Sequence, residues 1–111
     1  MRGLGKERQV ESPLSVASIS THVLDTERGR PARGVHVALY RAGELVADGE
    51  TDDDGRIPSL ADALEPGAYS LVFHPPSPFF TRVELELRLE DGHYHVPLLL
   101  SPYACTTYRG S

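Results

Sequence analysis

Apolar and polar residues alternate along most of this chain, which is the pattern of half-buried β-strands. The clearest run extends from Thr81 to Glu90, where valine and leucine alternate with arginine and glutamate. Turn-forming glycine, proline and aspartate separate the runs. The predicted strands are 18–24, 35–40, 45–51, 56–57, 68–74, 81–90, 93–100 and 105–111. This pattern predicts an all-β fold, an antiparallel β-sandwich of about eight short strands.

Two stretches interrupt the alternation. The stretch 25–33 contains Gly29 and Pro31 and is predicted to be a loop. Pro58 is predicted to end the short strand that begins at Arg56, because proline cannot donate to a strand ladder. The stretch 59–64 is predicted to form a helical turn capped by Ser59, so the fold contains at most one short helix.

The N-terminal stretch is polar and lacks an alternating pattern. Residues 1–17 include two glycines and a proline and are predicted to be a disordered arm. Residues 18–111 are predicted to form one sandwich domain, since a chain of 111 residues supports one modest core.

Charge and composition exclude several classes of function. The formal net charge is −5 and the basic residues form no cluster, which argues against nucleic-acid binding. No apolar run approaches the roughly 20 residues needed to cross a membrane. The single cysteine, Cys105, excludes an internal disulfide and is interpreted as a small packing residue in a reducing compartment. We therefore predict a cytoplasmic protein; a peroxisomal location stays open for a eukaryotic source, although the chain does not end in the SKL signal.

The C-terminal stretch has the most unusual surface. Between residues 93 and 100, one face of the predicted strand is apolar and suits a core. The other face carries His93, His95, Pro97 and Leu99. Such a face is unusual against water, so we infer that a second subunit covers it.

Several motifs in the chain resemble the 5-hydroxyisourate hydrolase family, the transthyretin-related enzymes of urate breakdown. The motifs are HYHVPLLLSP and TYRGS near the C-terminus, THVLDTERGRPARGV near the start, and DGR at 54–56. Transthyretin itself lacks the YRGS ending and the paired histidines. The resemblance implies a transthyretin-like sandwich that hydrolyses 5-hydroxyisourate as a homotetramer, with sites where two dimers meet and no metal or organic cofactor.

The resemblance also implies the site residues. His22, Arg56, His95 and Ser111 are the expected catalytic residues, and His22, Arg56 and Tyr108 are expected to bind substrate. A histidine suits general-base catalysis near neutral pH, and either His22 or His95 could be the base. Arg56 would bind the carbonyl-rich ring and stabilise an oxyanion.

Other interpretations remain open from the residues. His93 and His95 have a spacing that can chelate Zn²⁺ or Cu²⁺, but His22 is the only obvious third ligand, so we predict no metal. His36 and His74 match no motif and are interpreted as structural. A transthyretin-like carrier of a small ligand and an inactive sandwich that binds proteins are the alternative functions, because fold alone does not decide function.

The chain departs from the family pattern in two places. The connection from Pro75 to Phe80 is shorter than in the family, which bears on the surface it covers, on assembly and on activity. Cys105 and Thr106 stand where the family usually has an aromatic residue and a serine.

Overall fold

A computed structural model describes residues 16–110 of the chain, and these residues form nine strands and no helix. The strands are β1 (Ala17–Asp25), β2 (Arg30–Pro31), β3 (His36–Arg41), β4 (Glu44–Glu50), β5 (Arg56–Leu64), β6 (Gly67–His74), β7 (Val83–Leu89), β8 (Gly92–Ser101) and β9 (Ala104–Thr107). None of the described residues belongs to a helix long and apolar enough to cross a membrane.

The strands form two sheets that pack face to face. The first sheet has the order β9-β8-β1-β2, and β5 also pairs with β1. The second has the order β4-β3-β6-β7. The predicted all-β sandwich is therefore confirmed, although β1 and β8 pair in parallel while every other strand pair is antiparallel.

The core fills the space between the two sheets. Residues of the longer strands point inward, and Ile19, Leu39, Leu71, Phe73 and Leu98 have no exposed surface. Each such side chain stabilises the fold by roughly 1.5–3 kcal/mol relative to exposure. The same alternation leaves the opposite face of the first sheet free for polar side chains.

One polar side chain lies inside the core on β1. Thr21 is 1% exposed, and its hydroxyl donates to the carbonyl of Val96 at 2.6 Å. Because a buried hydroxyl is costly without a partner, this bond also fixes β1 against β8.

The predicted helical turn at 59–64 is wrong, as is the predicted strand end at Pro58. Both lie within β5, which continues to Leu64. β5 pairs with β1 through register shifts, and Pro58 is absent from the paired positions. A strand with bulges and one pairing partner tolerates a residue that cannot donate, so proline does not end it.

The other boundaries differ by a few residues. β2 lies within the stretch predicted to be a loop. β1 begins at Ala17, the last residue of the predicted arm, and residues 1–15 of that arm lie outside the described residues.

The short connection between β6 and β7 is closed by one serine. The Ser77 hydroxyl oxygen accepts hydrogen bonds from the backbone N–H groups of Phe79 and Phe80, at 3.0 and 2.9 Å. The same hydroxyl lies 3.4 Å from the carbonyl of Pro102, to which it donates. The sandwich therefore accommodates this connection with a local hydrogen-bonded turn.

Candidate functional site

The outer face of the first sheet brings three predicted site residues together. His22 on β1 pairs with Arg56 on β5, and Ser20 on β1 pairs with His95 on β8. Paired residues lie on the same face of a sheet, so His95 and His22 are diagonal neighbours on adjacent strands. The face therefore presents Arg56, His22 and His95 in that order across three strands.

A tight turn before β5 holds Arg56 in position. The Asp52 carboxylate accepts hydrogen bonds from the backbone N–H groups of Asp54 and Arg56, both at 2.9 Å. Gly55 has φ of 73°, and a Cβ there would lie 2.5 Å from the carbonyl oxygen of Val23. Only glycine fits this position, which explains the DGR sequence before the strand.

The same turn orients His22. The Nε2 atom of His22 lies 2.9 Å from the backbone carbonyl oxygen of Asp54. A carbonyl only accepts hydrogen bonds, so Nε2 must carry a proton and donate. The neutral His22 ring therefore has its free lone pair on Nδ1.

Two serines and two histidines form a continuous hydrogen-bonded chain on this face. Ser18 Oγ lies 2.6 Å from His93 Nδ1. Ser20 Oγ lies 2.8 Å from His93 Nε2 and 2.8 Å from His95 Nδ1. His95 therefore has one ring nitrogen engaged with Ser20, and its Nε2 atom is not part of this chain.

The surroundings of His95 disfavour its charged form. Burial lowers the pKa of His95 from its ordinary value of 6.5, and the positive charges of His22, Arg56 and His93 lower it further. Neutral His95 is thus available as a proton acceptor at neutral pH.

The C-terminal tail closes one side of this face. The Gly110 N–H donates to the carbonyl of His95 at 2.6 Å. A Cβ on Gly110 would lie 2.9 Å from Cδ2 of His95, so the backbone approaches the ring at a distance only glycine permits. The Arg109 guanidinium lies 4.2 Å from the centre of the Tyr94 ring, a cation–π contact that holds the tail against β8.

The structure gives less information about two other predicted site residues, Tyr108 and Ser111. Tyr108 is 55% exposed and lines a cavity of about 470 Å³ that also borders Tyr94, Val96 and Leu87. Ser111 lies outside the described residues.

Among residues 16–110, no three His, Cys, Asp or Glu side chains are grouped so as to hold a metal ion. His93 and His95 instead use ring nitrogens to bond the two serines. The prediction that the protein needs no metal or organic cofactor stays a prediction.

The sequence interpretation missed the two serines and the part played by His93. The missed signal was in the alternation of β1, which places Ser18, Ser20 and His22 on one face. It could have been recognised only with the parallel pairing of β1 and β8, which brings these hydroxyls beside the histidines.

The fold and this face define a transthyretin-like sandwich with a polar site on an open sheet surface. The model of the HIUase/Transthyretin family matches residues 19–110, so the chain belongs to that family. The family resemblance seen in the motifs is thereby confirmed.

Individual relatives belong to the same family. The chain is 43% identical to 5-hydroxyisourate hydrolase 2 of Rhizobium meliloti, over 84% of this chain and 95% of the relative. It is 39% identical to the 5-hydroxyisourate hydrolase of Pseudomonas aeruginosa, over 89% of this chain and 95% of the relative. The solved structure of Klebsiella pneumoniae 5-hydroxyisourate hydrolase matches with a TM-score of 0.79 and 36% identity, covering 86% of this chain and 99% of that one.

The alignments also show that this chain is shorter than its relatives over the aligned span. The alignment with the Rhizobium protein spans 114 residues, yet it covers only 84% of this chain of 111 residues. The relative therefore carries residues within the aligned span that this chain lacks.

Proposed function

We propose that this protein hydrolyses 5-hydroxyisourate to 2-oxo-4-hydroxy-4-carboxy-5-ureidoimidazoline in urate catabolism. The observation that carries the proposal is the placement of Arg56, His22 and His95 side by side on one sheet face. Relatives that bear the name 5-hydroxyisourate hydrolase, aligned over most of the chain, support the same activity.

The reaction needs an activated water and a group that stabilises negative charge. His95 removes a proton from water, because its pKa is lowered and its ring is neutral near pH 7. The water oxygen attacks a ring carbonyl of the substrate, and the carbonyl oxygen takes up the negative charge. Arg56, whose side chain stays protonated, stabilises that oxyanion.

His22 and the tail would orient the substrate. The Nε2 proton of His22 is engaged with the Asp54 carbonyl, so His22 would offer its Nδ1 lone pair to a donor on the substrate. Cleavage of the ring C–N bond follows collapse of the oxyanion, and the leaving nitrogen receives a proton. Tyr108 and Ser111 would form walls of the site.

A homotetramer with sites between dimers would complete this face. Leu24 and Leu99 pair across β1 and β8 on the outer face and are only partly buried in the single chain. Contact with another subunit would remove their apolar surface from water. Sedimentation at micromolar concentration tests this proposal, and a fully active monomer would contradict it.

The proposed location is the cytoplasm.

The decisive assay follows the ultraviolet absorbance of freshly prepared 5-hydroxyisourate with and without the protein. We expect the protein to accelerate the loss of substrate well beyond its spontaneous decay. An unchanged decay rate would overturn the proposed activity. Saturable binding without turnover would instead identify a transthyretin-like carrier, and neither binding nor turnover would identify an inactive module.

A further inference from the structure

We propose that Ser18, His93 and Ser20 form a proton relay that sets the protonation of His95 and connects it to solvent. This proposal rests on the hydrolytic function proposed above. The three residues are positioning residues, because they act through His95 rather than on the substrate.

The relay follows from the hydroxyl of Ser20. Ser20 is 6% exposed, and its oxygen is hydrogen-bonded to both His93 Nε2 and His95 Nδ1. A hydroxyl has only one proton, so it can donate to only one of these two nitrogens. The nitrogen that does not receive this proton must carry its own and donate to Ser20.

With both imidazole rings neutral, two proton arrangements satisfy the whole chain. In the first, His93 and His95 both carry their proton on Nδ1, and His95 Nε2 is free to accept a proton. In the second, both carry it on Nε2, and His95 Nε2 can donate one. The two histidines therefore change tautomer together.

Proton transfer along the chain converts the first arrangement into the second. Water gives a proton to His95 Nε2, and the His95 Nδ1 proton passes to Ser20 Oγ. The Ser20 hydroxyl proton passes to His93 Nε2, and the His93 Nδ1 proton passes to Ser18 Oγ. The Ser18 hydroxyl proton leaves to solvent, which reaches this exposed end of the chain. One proton enters and one leaves, so His95 ends neutral with its proton on Nε2.

The relay would let His95 exchange protons without holding a positive charge, which is unfavourable at this site. Burial lowers the pKa of His95, and the neighbouring His22 on β1, Arg56 on β5 and His93 on its own strand lower it further. A full positive charge on His95 is therefore unfavourable. With the relay, His95 takes a proton from water and later gives one to the leaving nitrogen, and the reverse transfers restore the first arrangement. A lasting charge beside Arg56 is avoided.

The tautomers can be measured directly. In ¹⁵N-labelled protein, two-bond ¹H–¹⁵N correlations distinguish the ring nitrogens, and His93→Phe and His95→Ala variants assign the signals. We expect His93 and His95 to have the same tautomer in the wild-type protein. In Ser20→Ala the tautomers of the two histidines should become independent of each other. In Ser20→Thr, which keeps the hydroxyl, the two histidines should still have the same tautomer. Opposite tautomers in the wild-type protein would overturn the relay.

Kinetics provide a second test with a matched control. His93→Phe should lower kcat roughly 10- to 100-fold with little change in KM, the size expected when a group that supports a functional histidine through a hydrogen-bond network is lost. The substitution breaks the connection between Ser20 and Ser18 and leaves the bond from Ser20 to His95. His74→Phe, which alters an exposed histidine on the other sheet, should retain the wild-type rate. A folded His93→Phe variant with wild-type kcat would overturn the relay.

The two proposals fail in different ways. If the wild-type protein does not accelerate decay of 5-hydroxyisourate, the proposed function is wrong, and the tautomer measurement still decides the relay. If the wild-type protein is active and the Ser20 and His93 variants are equally active, the function stands and the relay is wrong.

Discussion

Both sheets carry histidines on their outer faces, three on the first sheet and two on the second, and the partners of these histidines differ. On the first sheet, His93 and His95 are both hydrogen-bonded to the hydroxyl of Ser20. On the second sheet, the rings of His36 and His74 stack with centroids 5.3 Å apart, and His36 Nε2 lies 3.0 Å from the Asp48 carboxylate.

This difference decides what each face can do. An ionised carboxylate only accepts hydrogen bonds, so Asp48 holds His36 Nε2 in a donating role. A hydroxyl both donates and accepts, so Ser20 lets His95 change between proton acceptor and proton donor. The histidine pairs on the two faces therefore differ in chemistry because their hydrogen-bonding partners differ.

Removal of the His95 side chain should have the largest effect. We expect His95→Ala to reduce hydrolysis by roughly 10²–10⁴-fold, because the general base is lost. Stability should change by no more than about 0.5 kcal/mol, as is typical of positions outside the core. His74→Ala on the second sheet is the control and should keep its rate. Turnover at the wild-type rate by folded His95→Ala would show that loss of either histidine has the same effect, and it would refute the assignment of His95 as the general base.

Removal of the tail from Tyr108 to Ser111 should have the next largest effect. The deletion removes the Gly110 backbone from its contact with His95, and hydrolysis should fall by at least about 10²-fold, as for one lost oxyanion contact. The melting temperature should shift by only a few degrees, since a change of about 1 kcal/mol in the free energy of unfolding corresponds to ~4–8 °C in a small domain. Full activity with early unfolding would instead show that the tail is a structural strand end.

Substitution of Gly55 should change the stability of the turn before β5, which belongs to the first sheet only. Gly55→Ala should cost more than the roughly 1–3 kcal/mol of an unfavourable backbone conformation, because the new Cβ also meets the Val23 carbonyl oxygen. Gly29→Ala is the matched control, since Gly29 has φ of 69° and no atom within 4 Å of the new Cβ. Urea unfolding measures both. Equal losses would show that the contact with Val23 contributes nothing.

The pH dependence should give the smallest effect. With His95 as the proposed general base, hydrolysis needs its neutral form, so the acid limb of the pH profile should lie below the ordinary histidine pKa of 6.5. Because the folded-state pKa is lowered, the contribution of His95 to stability is present above 6.5 and is lost as pH falls towards the folded pKa. Unfolding measured across this range should show that slope in the wild-type protein and not in His95→Ala. An acid limb above 6.5 would contradict the lowered pKa.

Much of the fold could be predicted because alternation reports directly which face of a strand is buried. Alternation does not report strand direction, so it could not reveal that β1 and β8 are parallel. Local rules also failed for Pro58 and Ser59, where pairing with β1 outweighs the usual effects of proline and an N-cap residue.

The candidate site was predictable to a similar extent. His22, Arg56 and His95 followed from the family motifs, and the structure places them on one face. The connection from Ser18 through His93 to Ser20 depends on contacts between distant parts of the chain. No local pattern in the sequence contains that information.

The parallel pairing of β1 and β8 also has a consequence for biosynthesis. Ser20 and His95 are 75 residues apart in sequence, so their strands meet only after nearly the whole domain has been made. At about 5–20 residues per second of translation, β1 waits roughly 4–15 s for β8. Such high contact order slows folding, because the entropy of closing a long loop must be overcome before the contacts form. The face that carries His22 and His95 is therefore among the last parts of a nascent chain to assemble.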